Sequence, residues 1–472
     1  MRRCSLLLLV TSGCLVQDPE WEPPADTDAS ASGATSGSTG ATSGVDMSTT
    51  ADTASGSGSD SDSEGETMGV VPDPEIPEGC EPLGELPADA IVVGPADNAT
   101  LDAVIEGAAA GSTIALEPGT YDRAGQPILF IETDGITLRS TTGNPEDVVL
   151  DGGREGTSRL IGVLADNVTL AEFTVQNSNS NLVEIGGPPG TVLSKPVIYR
   201  LRFINSTDAY LDVGAEDRGW TDDGQVACST FEMTAEFREA TPDCSGLGAI
   251  RLSGAARWVV RDNTMDGFWC ASGSYAALVA DLGSSDTRVV RNLLRNNHRG
   301  ILLGGENTGQ GRPEPSGDTC GTPDGATWGH VRGEVINNVI WVDDPAIPNL
   351  DSMMGFWHVC AGVAAHNTSY VTLPTFNGIE WRYPDTSVTI ANNLISTTLQ
   401  ERNEAVALGV DTNLSGATAA DYVDAPAGDF RLAGDSVARD AGIAVPGTPV
   451  PRDYDGEARV GRPDVGAFEF QP

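Results

Sequence analysis

The stretch VVRNLLRNNHRGILLGG, Val289 to Gly305, reads as one turn of a coil laid out flat. A short apolar strand (Val289, Val290) leads toward a polar corner at Asn296 and Asn297. A second strand, Ile301 to Leu303, ends on two glycines. The same layout returns in WVVRDNTM from Trp258, EVINNVIWV from Glu334, VAAHNTSYV from Val363 and VTIANNLIS from Val388. Aligned on Asn263, Asn292, Asn338, Asn367 and Asn393, the copies step by roughly 25–30 residues, with one long step. Self-similarity at that period marks a solenoid, in which each repeat buries its apolar face only against its neighbours.

The period is too short for a strand–helix–strand crossover, and no amphipathic helical pattern lies between the strands. Short strands between Gly, Asn and Asp corners predict an all-β chain wound as a parallel β-helix. The corner asparagines read as structural, because stacked side-chain amides satisfy backbone groups at a turn. From about Asp89 to the C-terminus the chain resembles the right-handed parallel β-helix superfamily, which is pectate-lyase-like. That superfamily holds polysaccharide lyases, glycoside hydrolases and non-catalytic surface proteins. The resemblance implies a polysaccharide ligand, and a lyase or hydrolase if the chain is an enzyme. The alternative is a non-catalytic adhesin or envelope component.

Asn98 to Tyr121 fits the opening of such a coil. Thr100 is placed to cap a short helix over Leu101–Ala109, with Asp102 near its positive end and Gly111 beyond it. The helix is expected to cover the first coil. The sequence divides into a signal peptide at 1–14, an acidic linker at 15–85, the coil at 86–425 and a C-terminal cap at 426–472.

MRRCSLLLLVTSGC at the N-terminus has two arginines, a Leu/Val run and small residues before Cys14. It looks like a bacterial lipoprotein signal, although Thr11 stands where a lipobox usually has Leu. Lipidation at Cys14 would place the chain on the outer membrane or cell surface, with the lipid as its membrane contact. The run is too short to span a bilayer. The linker that follows is rich in Ser, Thr, Gly, Ala and acids, with too little apolar surface to fold. As a flexible chain it would reach roughly 40–50 Å.

The net charge of -41 excludes nucleic acid as a partner. It disfavours polyanions too, unless a local basic patch receives them. A monomer is expected. Six cysteines follow Cys14 and fit three disulfides in an exported chain. Their connectivity stays open; Cys228 with Cys244 is the natural local pair.

Strand alternation places an outward residue between two inward apolar ones on each coil. The outward series is Glu184, Asp212, Arg251, Val279, Leu302, a poorly registered rung near Trp357, and Glu380. Glu184, Asp212 and Arg251 on successive coils would stack two carboxylates and a guanidinium about 4.8 Å apart. Such a column can act as an acid–base pair or hold a cation. No motif fixes a cofactor. The acids around Asp212, with Asp208 and Asp217 foremost, suit Ca²⁺ by their oxygen content alone. His330 and His358 lie in or beside the long segment Glu306 to Val331, near Trp328 and Trp357. They are candidates for a general base with a sugar-stacking platform. Arg299 is a further candidate to touch substrate. His298 and His366 sit at corners and read as turn residues. Glu380 and Arg382 share a strand face and read as partners of each other.

The tail ends in RDYDGEARVGRPDVGAFEF. Its Asp453, Asp455, Gly456, Arg459 and the run Asp464 to Glu469 resemble the C-terminal module of bacterial surface β-helix proteins, of the choice-of-anchor type. Val465 and Phe468 are expected to cover the last coil, with Arg459 meeting nearby acids.

Overall fold

The computed structural model describes residues 76–154, 156–214, 218–244, 246–305, 311–313, 320 and 327–471. The signal, Cys14, most of the linker, Asp217 and most of the long segment after Gly305 lie outside them. The described coil is built of three long parallel sheets of twelve, eleven and ten strands. Each strand is three to six residues long in these sheets apart from two-residue pieces near the C-terminal end. The chain passes from sheet to sheet at each corner, so every strand pairs with the equivalent strand of the next coil.

Inward residues stack into columns. One runs Leu138, Leu170, Ile198, Val226, Val260, Val289, Val335, Ala364 and Ile390. All are buried in one continuous core. Another includes Phe203 and Phe231, stacked with centroids 4.4 Å apart. Like residues stack because each coil repeats the backbone of the last, so dispersion contacts repeat with it.

The corner between the twelve- and eleven-stranded sheets explains the asparagine repeat. One residue adopts a left-handed conformation at each coil: Asp262, Arg291, Asn337, His366, Asn392 and Thr412 all have φ between 53° and 57°. The next residue is the buried asparagine. Asn263 Nδ2 donates to Asn292 Oδ1 at 3.0 Å, and the same link joins Asn292 to Asn338, Asn338 to Asn367 and Asn367 to Asn393 at 3.0, 3.1 and 2.9 Å. Asn393 extends the ladder to Asn413 at 2.8 Å. Each amide also donates to a backbone carbonyl of the coil. The anchors chosen from sequence form this ladder; His366 is a turn residue, as expected.

The opening helix spans Leu101–Glu106 and buries Leu101 and Ile105 against the first coil. A 3-10 turn, Pro95–Thr100, precedes it. Thr100 does not cap the helix through its side chain; its hydroxyl donates back to Asp97 O at 3.0 Å.

Residues 76–85, read from sequence as the end of a disordered linker, instead lie along the coil. Arg139 holds the carbonyls of Leu83 and Gly84 at 3.0 and 2.9 Å, and Arg261 those of Pro77 and Glu78 at 3.0 Å each. The Tyr199 hydroxyl donates to Gly79 O at 3.0 Å and Glu81 O at 2.7 Å. A disulfide, Cys80–Cys228, fixes this strap. The other two bridges are Cys244–Cys270 and Cys320–Cys360. The expected Cys228–Cys244 pair is therefore wrong. Short sequence distance misled: stacking sets Cys244 beside the next coil, and the strap brings Cys80 to Cys228.

The tail does not close the open end of the coil. The antiparallel pair Tyr422–Asp424 and Asp429–Leu432, with Val465, Ala467 and Phe468, packs on the flank against Val339, Leu394, Trp341 and Tyr370. Those outward aromatics give the tail an apolar seat that the coil end lacks. Val410, paired to Ile390 on the last coil, stays 45% exposed. Arg459 meets Glu469 at 3.3 Å, as expected, and also Asn337 Oδ1 at 2.9 Å. Asp453 accepts from the backbone of Glu457 and Glu469 at 2.7 and 2.8 Å.

Candidate functional site

The ten-stranded sheet places Glu184, Asp212, Arg251, Val279 and Leu302 in one register column, followed by Gly355, Glu380 and Gln400. On the N-terminal side it continues through Gly162 to Phe130. The alternation read from sequence thus places every outward residue, and Gly355 is the rung that sequence left unregistered.

Glu184, Asp212 and Arg251 line one open cleft of about 550 Å³ with Phe130, Arg159, Asn181, Asp208 and Arg218. The acids and cations interlock. Arg159 pairs with Glu184. Arg218 reaches Glu184 at 3.0 Å and Asp212 at 2.7 Å. Arg251 reaches Asp212 at 2.7 Å and Asp208 at 3.3 Å. Asp212 is only 2% exposed. Burial opposes its ionisation, but the hydrogen bonds and charges of Arg251 and Arg218 outweigh it and hold the carboxyl below the usual range. Arg251 is in turn held above its ordinary value: burial acts against the charge, and the Asp212 carboxylate overrides it.

A pH dependence follows. A depressed native pKa contributes stability that is complete above the unfolded value, about 3.9, and is lost as pH falls through the lower folded value. Urea denaturation at a series of acid pH values should show wild type losing stability in this window more steeply than Asp212→Asn. Parallel curves would mean that Asp212 titrates alike in both states.

Phe130 closes one end of the cleft. Its side chain is 41% exposed. A Cβ at Gly162 would stand 2.7 Å from two of its ring carbons. Glycine there lets the ring settle on the backbone of the next coil and leaves it open to solvent.

Asp208 and Asp212 are both engaged by Arg251, and Asp217 lies outside the described residues. No group of three or more metal-ligating side chains occurs among the described residues. The neighbouring Asp222 and Asp223 are taken by Arg257 and Arg312.

The His/Trp site of the sequence reading does not assemble. His330 is fully buried, with Nε2 2.9 Å from Thr287 Oγ1, and burial lowers its pKa to about 4. It packs as a core residue and is not a base. Trp328 is 5% exposed among Val331, Cys320 and Cys360. Trp357 is 6% exposed. Arg299 and Arg382 lie over its ring at 4.8 and 4.5 Å, and its Nε1 donates to Glu380 at 2.8 Å. Neither indole offers a face to a sugar. Arg299 is bound to Asp351, away from the cleft. Glu380 pairs at 3.2 Å with Arg402, the register neighbour of Arg382 on the next coil, and not with Arg382, which lies over the Trp357 ring.

His358 keeps the capacity for chemistry. Its Nδ1 meets the Asp385 carboxylate at 2.9 and 3.0 Å, and its ring stacks on Tyr383 at 4.1 Å. It stands several coils from Glu184 and belongs to a different part of the face.

The sequence reading missed Phe130, Arg159 and Arg218. Arg159 and Arg218 lie between strands, where spacing varies and no register predicts a partner. Phe130 could have been found by extending the outward series two coils toward the N-terminus.

No family model matches the chain, and no curated protein matches it by sequence. Among solved structures it is similar to the pectate lyase Pel9A, at 14% identity and a TM-score of 0.55, over 82% of this chain and 98% of that one. The chain has the parallel β-helix fold of the pectate-lyase-like proteins. An alginate lyase from Paenibacillus sp. str. FPU-7 aligns at 13% identity and a TM-score of 0.47, over 69% of this chain and 98% of that one. A polygalacturonase from Erwinia carotovora ssp. carotovora aligns at 10% identity and a TM-score of 0.38, over 74% and 99%. At 14% identity the likeness to Pel9A is one of fold.

Proposed function

We propose that this parallel β-helix is a carbohydrate-active protein that binds a polysaccharide along the outward face of its ten-stranded sheet and cleaves it as a lyase or a hydrolase. The observation that carries this reading is the joint cleft. Glu184, Asp212 and Arg251 come together on successive coils beside the open ring of Phe130. Carboxylates and guanidinium forks both bond sugar hydroxyls, and an exposed aromatic face takes the apolar side of a pyranose. Three arginines also give an otherwise acidic protein a local place for an anionic sugar.

A second reading is a surface protein that binds without cleaving. Its support is that Glu184, Asp208 and Asp212 are each engaged by arginine. One experiment separates the two. Affinity electrophoresis through neutral and uronic polysaccharides should retard the wild type in at least one gel. Phe130→Ala should bind roughly tenfold more weakly, the loss of one stacking contact of about 1.4 kcal/mol. Unsaturated product absorbing in the ultraviolet marks a lyase, and new reducing ends without it mark a hydrolase. Binding without either product favours the second reading. Failure of every polysaccharide to retard the protein would sink both.

For location, the reading is an exported lipoprotein anchored at Cys14 on the outer membrane or cell surface, with the C-terminal module of surface β-helix proteins. Three disulfides support an oxidising compartment. Metabolic labelling with a fatty acid should mark the wild type and not Cys14→Ser.

A further inference from the structure

One carboxylate beside the cleft differs from all the others. Leu278 and Ala280 point inward on their strand, so Val279 and Asp281 share the outward face. Val279 is the register neighbour of Arg251, and Asp281 that of Ser253. Asp281 therefore stands one coil beyond Arg251 and on the same face, about 4.8 Å further along the axis. Glu184, Asp208 and Asp212 are all held by guanidinium groups. Asp281 has no ion pair among the described residues; its Oδ1 accepts from the Ser253 hydroxyl at 2.9 Å. No described residue bonds its other oxygen, and the side chain is half-buried. A Cβ at Gly305 would lie 3.7 Å from Asp281 Oδ2 and 3.4 Å from the Tyr275 hydroxyl, so the glycine keeps a gap between the two groups.

We infer that Asp281 is the proton donor for hydrolysis of a glycosidic bond in a polysaccharide running along the axis from the cleft past Arg251. This rests on the polysaccharide reading above and adds the reaction and the residue. In the step, the proton of the Asp281 carboxyl passes to the glycosidic oxygen. The anomeric carbon–oxygen bond breaks, and its electron pair stays on that oxygen. Water forms the new bond to the anomeric carbon through its oxygen, and the proton it loses restores Asp281.

The surroundings suit a donor. Burial raises the Asp281 pKa to about 6, and the hydrogen bond from Ser253 works the other way. Among the described residues, the charged and titratable groups facing it are Arg251 and Asp212 from the preceding coils and Tyr275 beside it. Arg312, which packs over Gly254 and Gly283 nearby, is committed to Asp222. Asp212 and Asp281 are thus two carboxylates pushed apart, one fixed as the anion and one able to carry a proton, the division of roles that acid catalysis needs.

The test uses the full chain and the polysaccharide that the affinity gels identify. Wild type should release reducing ends without ultraviolet-absorbing product, with activity falling on a basic limb near pH 6. Asp281→Asn should lower cleavage by roughly 100-fold or more and leave gel retardation unchanged. Ser253→Ala removes a donor that favours the ionised carboxylate, so its basic limb should move to higher pH. That shift decides the matter alone if Asp281→Asn does not fold. Full-rate cleavage by Asp281→Asn, an unmoved limb in Ser253→Ala, an unsaturated product, or binding with no cleavage would each overturn the donor role and leave the binding reading standing. A wild type that neither binds nor cleaves any polysaccharide would overturn both.

Discussion

Replacing Asn338 with leucine lowers the stability of the coil by roughly 3–5 kcal/mol, because several buried polar groups lose their partner at once. Asn338 Nδ2 donates to Val289 O at 2.8 Å, Ile336 O at 3.1 Å and Asn367 Oδ1 at 3.1 Å. Its Oδ1 accepts from the backbone and side chain of Asn292 at 2.9 and 3.0 Å. Leucine has similar bulk and supplies none of these bonds, and the site admits no solvent to replace them. Asn413, at the end of the ladder and half-buried, is the internal control. Asn413→Leu should cost clearly less, since water can reach part of its site. Urea denaturation with far-ultraviolet dichroism measures both. Equal, small effects below about 1 kcal/mol would mean that the ladder decorates the turn and does not hold it.

The paired substitution Cys80→Ser with Cys228→Ser has the second largest expected effect, up to about 5 kcal/mol by the loop-closure relation. The two cysteines are 148 residues apart, so the bond removes much freedom from the unfolded chain. Part of the cost should appear locally, before global unfolding. Residues 77–84 are held to Arg139, Tyr199 and Arg261 largely through their backbone carbonyls, and Leu83 N bonds Glu172 Oε1 at 2.5 Å. Without the bond the strap should open first. Hydrogen exchange at residues 78–84 should rise in the variant, and the unfolding midpoint should fall. If exchange there is unchanged, the arginine contacts alone hold the strap and the disulfide acts only on the unfolded state.

Much of the coil was legible because its signals are local and repeated. Alternation within each short strand decides which side chains face inward, and a one-residue slip would turn every apolar residue to solvent. That is why the outward column from Glu184 to Glu380 could be written down before any coordinates. The ladder was legible for the same reason: aligning the repeats picks Asn338 over Asn337, although the repeat by itself gives no physical reason for the choice. The left-handed turn decides it: the first residue takes the positive φ, and the second is carried inward.

The site was only half legible. Sequence placed Glu184, Asp212 and Arg251 on one face, since register alone does that. It could not give Arg159 and Arg218, which arrive from segments of variable length. It also placed His330 and Trp328 in a working cleft when both are packed inside. A histidine beside a tryptophan carries no sign of which way the chain turns, and burial is a property of neighbours supplied by other coils. The cysteine pairing failed for a related reason: residues one coil apart are near in space and distant in sequence.

By itself, then, the repeat of short alternating strands and corner asparagines determined a parallel coil and the residues on its outer column, because backbone geometry turns a period into a stack. The tertiary structure decided that the charges of that column are tied into arginine pairs, and that Asp281, beside the column, has no ion pair among the described residues. It also decided that the stretch before Glu85 straps the coil and that the tail covers a flank. Those outcomes depend on contacts between segments far apart in the chain, and no local pattern encodes the distance between them.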